Sequence, residues 1–420
     1  MSSFGFSVLF VVFFVLTMVL RTWLAARHIR HIARHRASVP AEFAPKVPLA
    51  AHQKAADYTV AKTRLGLVGM LWGGAVLIGF TLLGGLQLLS LALLPITGPG
   101  LWHQLALVVA FGVISGLLDL PLDWYRQFVL EQRFGFNKMT PGLWFTDLIK
   151  STIVGAVIGL PLLWVVLTLM EKSGDLWWLY TWLVWSGFQL LMIAIYPSVI
   201  APMFNKFSPL EDASLKQRIE GLMARVGFAS RGLFVMDGSR RSAHGNAYFS
   251  GFGRAKRIVF FDTLLSRLEP QEIEAVLAHE LGHFKLRHIV KRVAVMFAMS
   301  LAFLALLGYL KGQAWFYTGL GVLPFMNASN DGMALVLFVL VLPVFTFPLA
   351  PLSSITSRKH EFEADAFAAQ HTDSRHLVSA LVKMYEDNAS TLTPDPLHSA
   401  FYDSHPPASV RVKHLTMAGA

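Results

Sequence analysis

Seven stretches of the chain are each long and apolar enough to cross a hydrocarbon layer, and no other feature restricts the fold so severely. A helix spanning a bilayer core needs about 20 mostly apolar residues. Residues 4–22, 66–96, 102–122, 150–170, 177–199, 290–310 and 333–355 meet that demand. Lipid offers no hydrogen bonds to a backbone, so each stretch satisfies its own amides and carbonyls as a helix. Composition agrees, with 54% hydrophobic and 15% charged residues in 420, far more apolar than a soluble domain needs. The second stretch is long enough to tilt or project beyond the bilayer. The first has no cationic region ahead of it and arginines behind it, which predicts a retained signal-anchor helix.

Orientation follows from the basic residues in the loops. Segment 23–65 carries Arg27, Arg30, Arg34, Arg36, Lys46, Lys54, Lys62 and Arg64, whereas the next loop, ITGPG, carries none. The first loop is therefore expected on the cytoplasmic side, with 123–149, 200–289 and the C-terminal tail, while 171–176 and 311–332 face outward. An odd number of spans, N-terminus out and C-terminus in, satisfies every loop. The net charge of +10 lies in loops flanking apolar spans and forms no tract interleaved with aromatics, so nucleic acid is not an expected partner.

Between the fifth and sixth stretches, residues 200–289 are too many for a connector and read as a folded cytoplasmic domain. GLFVMDG and KRIVFFD are short β-branched and aromatic runs with GNAYFSGFGR between them, which predicts a hairpin or meander. After Pro270, QEIEAVLAHELGHFKLRHIVKR reads as one helix, acidic early and basic late as the helix dipole favours.

That helix carries the chemistry. Residues i and i+4 share a face, so His279 and His283 can direct two imidazoles at one metal ion, and Glu280, about 100° around the axis, can reach a water held there. This is the H-E-x-x-H arrangement of zinc peptidases. The chain has no cysteine, so any such site is built from His, Asp or Glu. A catalytic zinc takes three protein ligands and leaves one position open. In SRKHEFEADAFAAQ, residues 357–370, Glu361 and Asp365 are again one turn apart. One carboxylate can ligate while the other accepts the N–H of a ligating imidazole. The plain alternative, with Glu363 also present, is a solvated helical face of mixed charge.

RFGFNKMT, NAYFSG, HELGH, EFEADAFA and HPP, several ordered motifs that run from about residue 50 to the tail, together resemble the integral-membrane zinc CAAX prenyl endopeptidases of type I. The resemblance implies a mostly α polytopic membrane protein whose seven helices enclose a chamber, with a small α+β zinc metallopeptidase domain on the cytoplasmic side. It implies one Zn2+ per chain, bound by His279, His283 and Glu361, with Glu280 as the catalytic carboxylate. Asp365 falls where the family has an acid behind the ligands. His405 in SHPPASVR matches a histidine that stabilises the oxyanion, Arg411 a supporting arginine, and Asn246 and Ala247 the edge-strand positions that pair with substrate backbone. The expected division is 1–199, membrane spans one to five; 200–289, the metallopeptidase domain; 290–355, spans six and seven; and 356–420, a cytoplasmic segment supplying the third ligand and the HPP motif.

The expected activity is hydrolysis near the C-terminus of an isoprenylated CAAX-type or other hydrophobic peptide, so the partners are a peptide or lipidated protein and the bilayer. Two other readings compete: a quality-control protease for membrane proteins with the same chemistry, and a transporter or channel with a regulatory metal site, which predicts ionisable residues near the bilayer midplane. The tail LTMAGA carries no dilysine or KDEL-type signal, which favours a bacterial inner membrane over the endoplasmic reticulum. Asp119, Asp123, Glu131 and Arg133 cluster at the end of the third stretch, expected either to line the chamber or to pair at the interface. His28, His31 and His35 lie among arginines and are expected on the surface, His288 at the membrane surface and His360 exposed on its helix; His244 and His398 have no assigned role.

Overall fold

The computed structural model describes residues 1–230, 232–250 and 257–418. Among them, seven helices are long and apolar enough to cross a membrane: Ser3–His35, Leu49–Phe80, Leu101–Phe134, Pro141–Lys172, Gly174–Phe204, His288–Leu310 and Asp331–His371. Most outrun the apolar stretches. The first continues through its basic residues to His35 and the second begins at Leu49, so the expected loop of 23–65 shrinks to a short connection.

The stretch 66–96 does not form one span. Its helix ends at Phe80, and the chain turns through Gly84 at φ 78° before a separate helix, Gly85–Thr97. The close approach needs glycine at the turn: a Cβ on Gly85 would sit 2.6 Å from the Gly79 carbonyl oxygen. At 13 residues the new helix is too short to span.

Phe10, Leu107, Leu167, Leu307, Phe316 and Leu337 form the sealed core of the helical bundle. Leu117, Val157, Leu183 and Val295 stay exposed, an apolar surface suited to lipid. The first and seventh spans are also joined by the Thr17 hydroxyl, which donates to the Val344 carbonyl at 3.0 Å.

Four strands, β1 (Phe207–Pro209), β2 (Leu233–Met236), β3 (Ala247–Ser250) and β4 (Arg257–Phe261), form a sheet in the order β1-β2-β4-β3. The expected hairpin is β3 with β4, antiparallel, with Ala247 opposite Phe260. The meander is not formed, because β2 runs parallel to β4, with Leu233 opposite Ile258. β3 has a neighbour on one side only and is an edge. The last residue of the NAYFSG motif, Gly251, lies outside the described residues.

One hydrophobic core binds this sheet to helices from both sides of the last two spans. Ile219 and Leu222, Ile258 and Phe260, Leu277 and Leu281, Ala368, Leu377 and Leu415 share it. The C-terminal segment and the segment after residue 200 therefore fold as one body, although two spans separate them in sequence.

The expected single helix over 271–292 is two helices. Pro270–Lys285 opens with a capping box between Glu269 and Glu272 and with Pro270 in its first turn, where a missing N–H costs nothing. It stops because Arg287 takes the left-handed conformation, φ 57°, and His288 starts the sixth span in a new direction.

Candidate metal centre

The helix Pro270–Lys285 lies against the helix Ala350–His371, which continues the seventh span. Gly282 makes the approach possible, since a Cβ there would lie 3.1 Å from Ala364 Cα and 3.1 Å from Phe367 Cβ. The close pair brings His279 and His283 from one helix to Glu361 from the other. His279 Nε2 and His283 Nε2 are 3.2 Å apart. Glu361 Oε2 is 3.5 Å from His279 Nε2, and Glu361 Oε1 is 3.3 Å from His283 Nε2.

These separations fit a shared metal. Ligand atoms about 2.0–2.1 Å from a tetrahedral zinc lie about 3.3 Å from one another. Glu361 is almost fully buried, and its Oε2 has no hydrogen-bond partner among the described residues. A buried carboxylate oxygen left bare is costly unless a cation completes it. Two imidazoles and one carboxylate, with no thiolate, form the donor set of a hydrolytic zinc.

Asp365, one turn beyond Glu361 and fully buried, takes the position behind His279: its Oδ1 is 2.8 Å from His279 Nδ1. That contact fixes the tautomer that leaves Nε2 free for the ion. Arg411 clamps Asp365 with two bonds, Nε to Oδ2 at 2.9 Å and Nη2 to Oδ1 at 2.6 Å, and its Nη1 lies 3.7 Å from Glu361 Oε2. Burial by itself would depress the His279 imidazole, but the Asp365 and Glu361 carboxylates beside it outweigh burial and raise it.

Glu280 is half-buried and makes no hydrogen bond or ion pair among the described residues. His405 also reaches the site, with Nε2 3.5 Å from Glu361 Oε1. Its side chain is open to a cavity of about 630 Å³, also walled by Arg21, Lys62, Tyr385, Asn388 and Tyr402. Loss of hydration within that cavity lowers the His405 imidazole, against the pull of Glu361 and with help from the Arg411 charge.

At the sheet edge, the Asn246 carbonyl accepts from Phe261 N–H at 3.0 Å, so the Ala247 N–H of the same peptide points away from the sheet. The Asn246 side chain covers that outward N–H, its Oδ1 at 2.8 Å. Asn388 Oδ1 accepts from Gly245 N–H at 3.2 Å and anchors the approach to the edge.

Several residues depart from expectation. His28 is buried, stacks on His398 with ring centroids 3.8 Å apart, and accepts from the Asp395 N–H, so it is no surface histidine. Arg27 pairs with Asp395 at 2.9 Å. His288 is buried and His360 stacks on it. The cluster at the end of the third stretch divides: Asp119 and Asp123 line a second cavity of about 520 Å³, whereas Glu131 accepts from the Tyr58 hydroxyl at 2.6 Å. Arg21, Gly66 and Met70 line both cavities, so the two adjoin between the first and second spans. Tyr385 and Asn388 carried no signal in the sequence, because neither belongs to a motif and both reach the site through tertiary packing.

Comparison with known proteins agrees with this arrangement. A family model described as CAAX prenyl protease N-terminal, five membrane helices, matches residues 28–206, and one for Peptidase family M48 matches residues 209–418. CAAX prenyl protease 1 of Saccharomyces cerevisiae is 37% identical over 388 residues, 86% of this chain and 85% of its own length. The CAAX prenyl protease 1 homolog of Homo sapiens is 33% identical over 351 residues, 74% of this chain and 73% of its own. The crystal structure of S. mikatae Ste24p superposes with a TM-score of 0.92 at 31% identity, covering 98% of this chain and 99% of that one.

Proposed function

The chain belongs to Peptidase family M48 in its CAAX prenyl protease branch, an integral multi-pass membrane metallopeptidase, and from that premise we propose that it cleaves a peptide bond near the C-terminus of isoprenylated CAAX-type or other hydrophobic peptides. The observation that carries this reading is the set of three side chains whose donor atoms lie 3.2–3.5 Å apart, with Glu280 next to His279 in the chain and without a partner among the described residues.

His279, His283 and Glu361 would hold one zinc ion. Bound there, zinc supplies a Lewis acid for a carbonyl oxygen and makes water acidic near neutral pH. Glu280 accepts the proton of the attacking water on its carboxylate and returns it to the leaving amine nitrogen. A carboxylate tied to another cation is a poor base, so its freedom from partners suits the task. His405 Nε2–H donates to the oxyanion as it forms, an interaction typically worth about 3 kcal/mol. The outward N–H of Ala247 pairs with a carbonyl of the extended substrate, displacing the Asn246 side chain, and main-chain pairing of this kind fixes register. Arg411 holds no substrate; it keeps Asp365 and Glu361 in place. The basic residues of segment 23–65 support a cytoplasmic face for this site.

Metal content of the purified protein, measured beside cleavage of a farnesylated CAAX peptide, tests the reading. Wild type is expected to hold one zinc and cleave, Glu280→Ala to hold zinc without cleaving, and Glu361→Ala to lose the metal. Metal-free wild type, or a fully active Glu280→Ala, would refute it.

A further inference from the structure

Two members of the motif-bearing helices have no part in the site so far described. His288, the first residue of the sixth span, is completely buried. Glu363 lies two residues beyond Glu361, on the other face of its helix. The left-handed turn at Arg287 folds His288 back onto the helix it follows, and its Nδ1 comes within 3.0 Å of His283 Nδ1. On its far side His288 Nε2 is 2.8 Å from Glu363 Oε2.

Only one assignment of protons satisfies this row if His283 ligates a metal. His283 Nε2 must keep its lone pair for the ion, so its Nδ1 carries the proton and donates to His288 Nδ1. His288 then carries its own proton on Nε2, which donates to the Glu363 carboxylate. Every donor meets an acceptor. We propose that His288 and Glu363 are positioning residues for the metal centre, a two-link chain that fixes the tautomer and basicity of His283 as Asp365 alone does for His279. The helix of Glu361 would thus serve the ion three times: directly through Glu361, through His279 by way of Asp365, and through His283 by way of His288 and Glu363. This inference rests on the metal-centre reading given above.

His288, Glu363 and His360 could instead be taken for a second metal site, because their polar atoms lie close together. The geometry opposes that. His288 and His360 stack with centroids 4.0 Å apart and planes 13° from parallel. Imidazole lone pairs lie in the ring plane, so two parallel rings at that separation do not converge on one ion. Lys359, 3.9 Å from Glu363, adds a positive charge beside any cation there.

The experiment is zinc release from the full-length, detergent-purified, zinc-loaded protein to an excess of chelator, followed by a fluorescent zinc probe. Removing a group behind a ligand typically weakens metal affinity about 10–100-fold. His288→Phe and Glu363→Leu are each expected to speed release by about that factor. Glu363→Gln, which keeps an acceptor without the charge, is expected to fall between Glu363→Leu and wild type, a gradation that simple loosening of the fold would not produce. The double variant His288→Phe/Glu363→Leu is expected to release zinc no faster than His288→Phe, because the chain is already cut at its first link. Glu363 is about a third exposed, so its variants decide the matter even if His288→Phe does not fold. Release at the wild-type rate from the Glu363 variants overturns the proposal. So does a second equivalent of zinc that disappears in His360→Ala, which would make the cluster a metal site itself. Wild type that binds no zinc removes the metal-centre reading, and the proposal with it.

Discussion

Glu280 follows His279 in the chain and Asp365 contacts its imidazole, and their surroundings make the two carboxylates opposite in kind. Glu280 is half-buried and unpartnered among the described residues, whereas Asp365 is sealed and accepts from His279 and twice from Arg411. Replacing Glu280 by Gln preserves shape and removes the base, so kcat is expected to fall about 10²–10⁴-fold while zinc content stays at the wild-type level, as steady-state kinetics and metal analysis on one preparation would show. Asp365→Asn has the reverse pattern. It takes from the buried Arg411 the carboxylate that clamps it twice and leaves only Glu361 at 3.7 Å, a loss of about 3 kcal/mol, and thermal unfolding of the metal-free protein should register that loss before any assay of activity. The i, i+4 spacing made His279, His283, Glu361 and Asp365 legible in the sequence, because a helix fixes which residues share a face. Arg411 and His405 were legible only through a motif resemblance. No periodicity links residue 411 to residue 365; the core that joins them is tertiary.

Helices were easier to foresee than their ends. Hydrophobic length located seven spans, but it could not mark the turn at Thr81–Gly84 inside one apolar run or the left-handed Arg287 inside one amphipathic run. A non-glycine residue at positive φ has no sequence signature as strong as a glycine's, and it is this turn that sets His288 beside His283. Glycine matters differently at position 282, where the demand is space. Gly282→Val would drive branched carbons into Ala364 and Phe367, already 3.1 Å from a first added Cβ. Overpacking of this sort costs about 1–3 kcal/mol, and parting the helices spreads the three ligands, so both melting temperature and zinc affinity should fall. A second inter-element contact responds to acid. Burial holds the His398 imidazole down at about 4, against the pull of Asp395, and its ring stacks on His28 of the first span. An unfolded chain binds this proton near pH 6.5 and the folded one only near pH 4, so stability present above pH 6.5 is lost as the pH falls through that window. Melting temperature should drop between pH 6.5 and 4, and the drop should be shallower in His398→Phe, which keeps a stacking ring and removes the titration.

On the scale of the whole chain, the metallopeptidase body is assembled from segments on either side of the sixth and seventh spans, so its side of the membrane fixes the side of everything else. The charge bias carries the expected orientation: eight basic residues in 23–65, six on the helices Ser3–His35 and Leu49–Phe80 with Arg36 and Lys46 between them, and none in ITGPG. Charge bias of this sort sets topology during insertion, and the basic end of the first span is pinned to the C-terminal segment through Arg27 and Asp395. The chain contains no cysteine, so a single introduced thiol reports its own location without background. Glu211 and Asn327 are exposed, and only one span, His288–Leu310, separates them. In sealed vesicles oriented with the cytoplasmic face outward, Glu211→Cys should react with a membrane-impermeant maleimide, and Asn327→Cys only after detergent is added. The opposite pattern would invert the orientation and move the catalytic face with it. Equal labelling of both thiols in intact vesicles would mean that His288–Leu310 does not cross, and then the turn at Arg287 would direct a helix along the membrane surface and not through it.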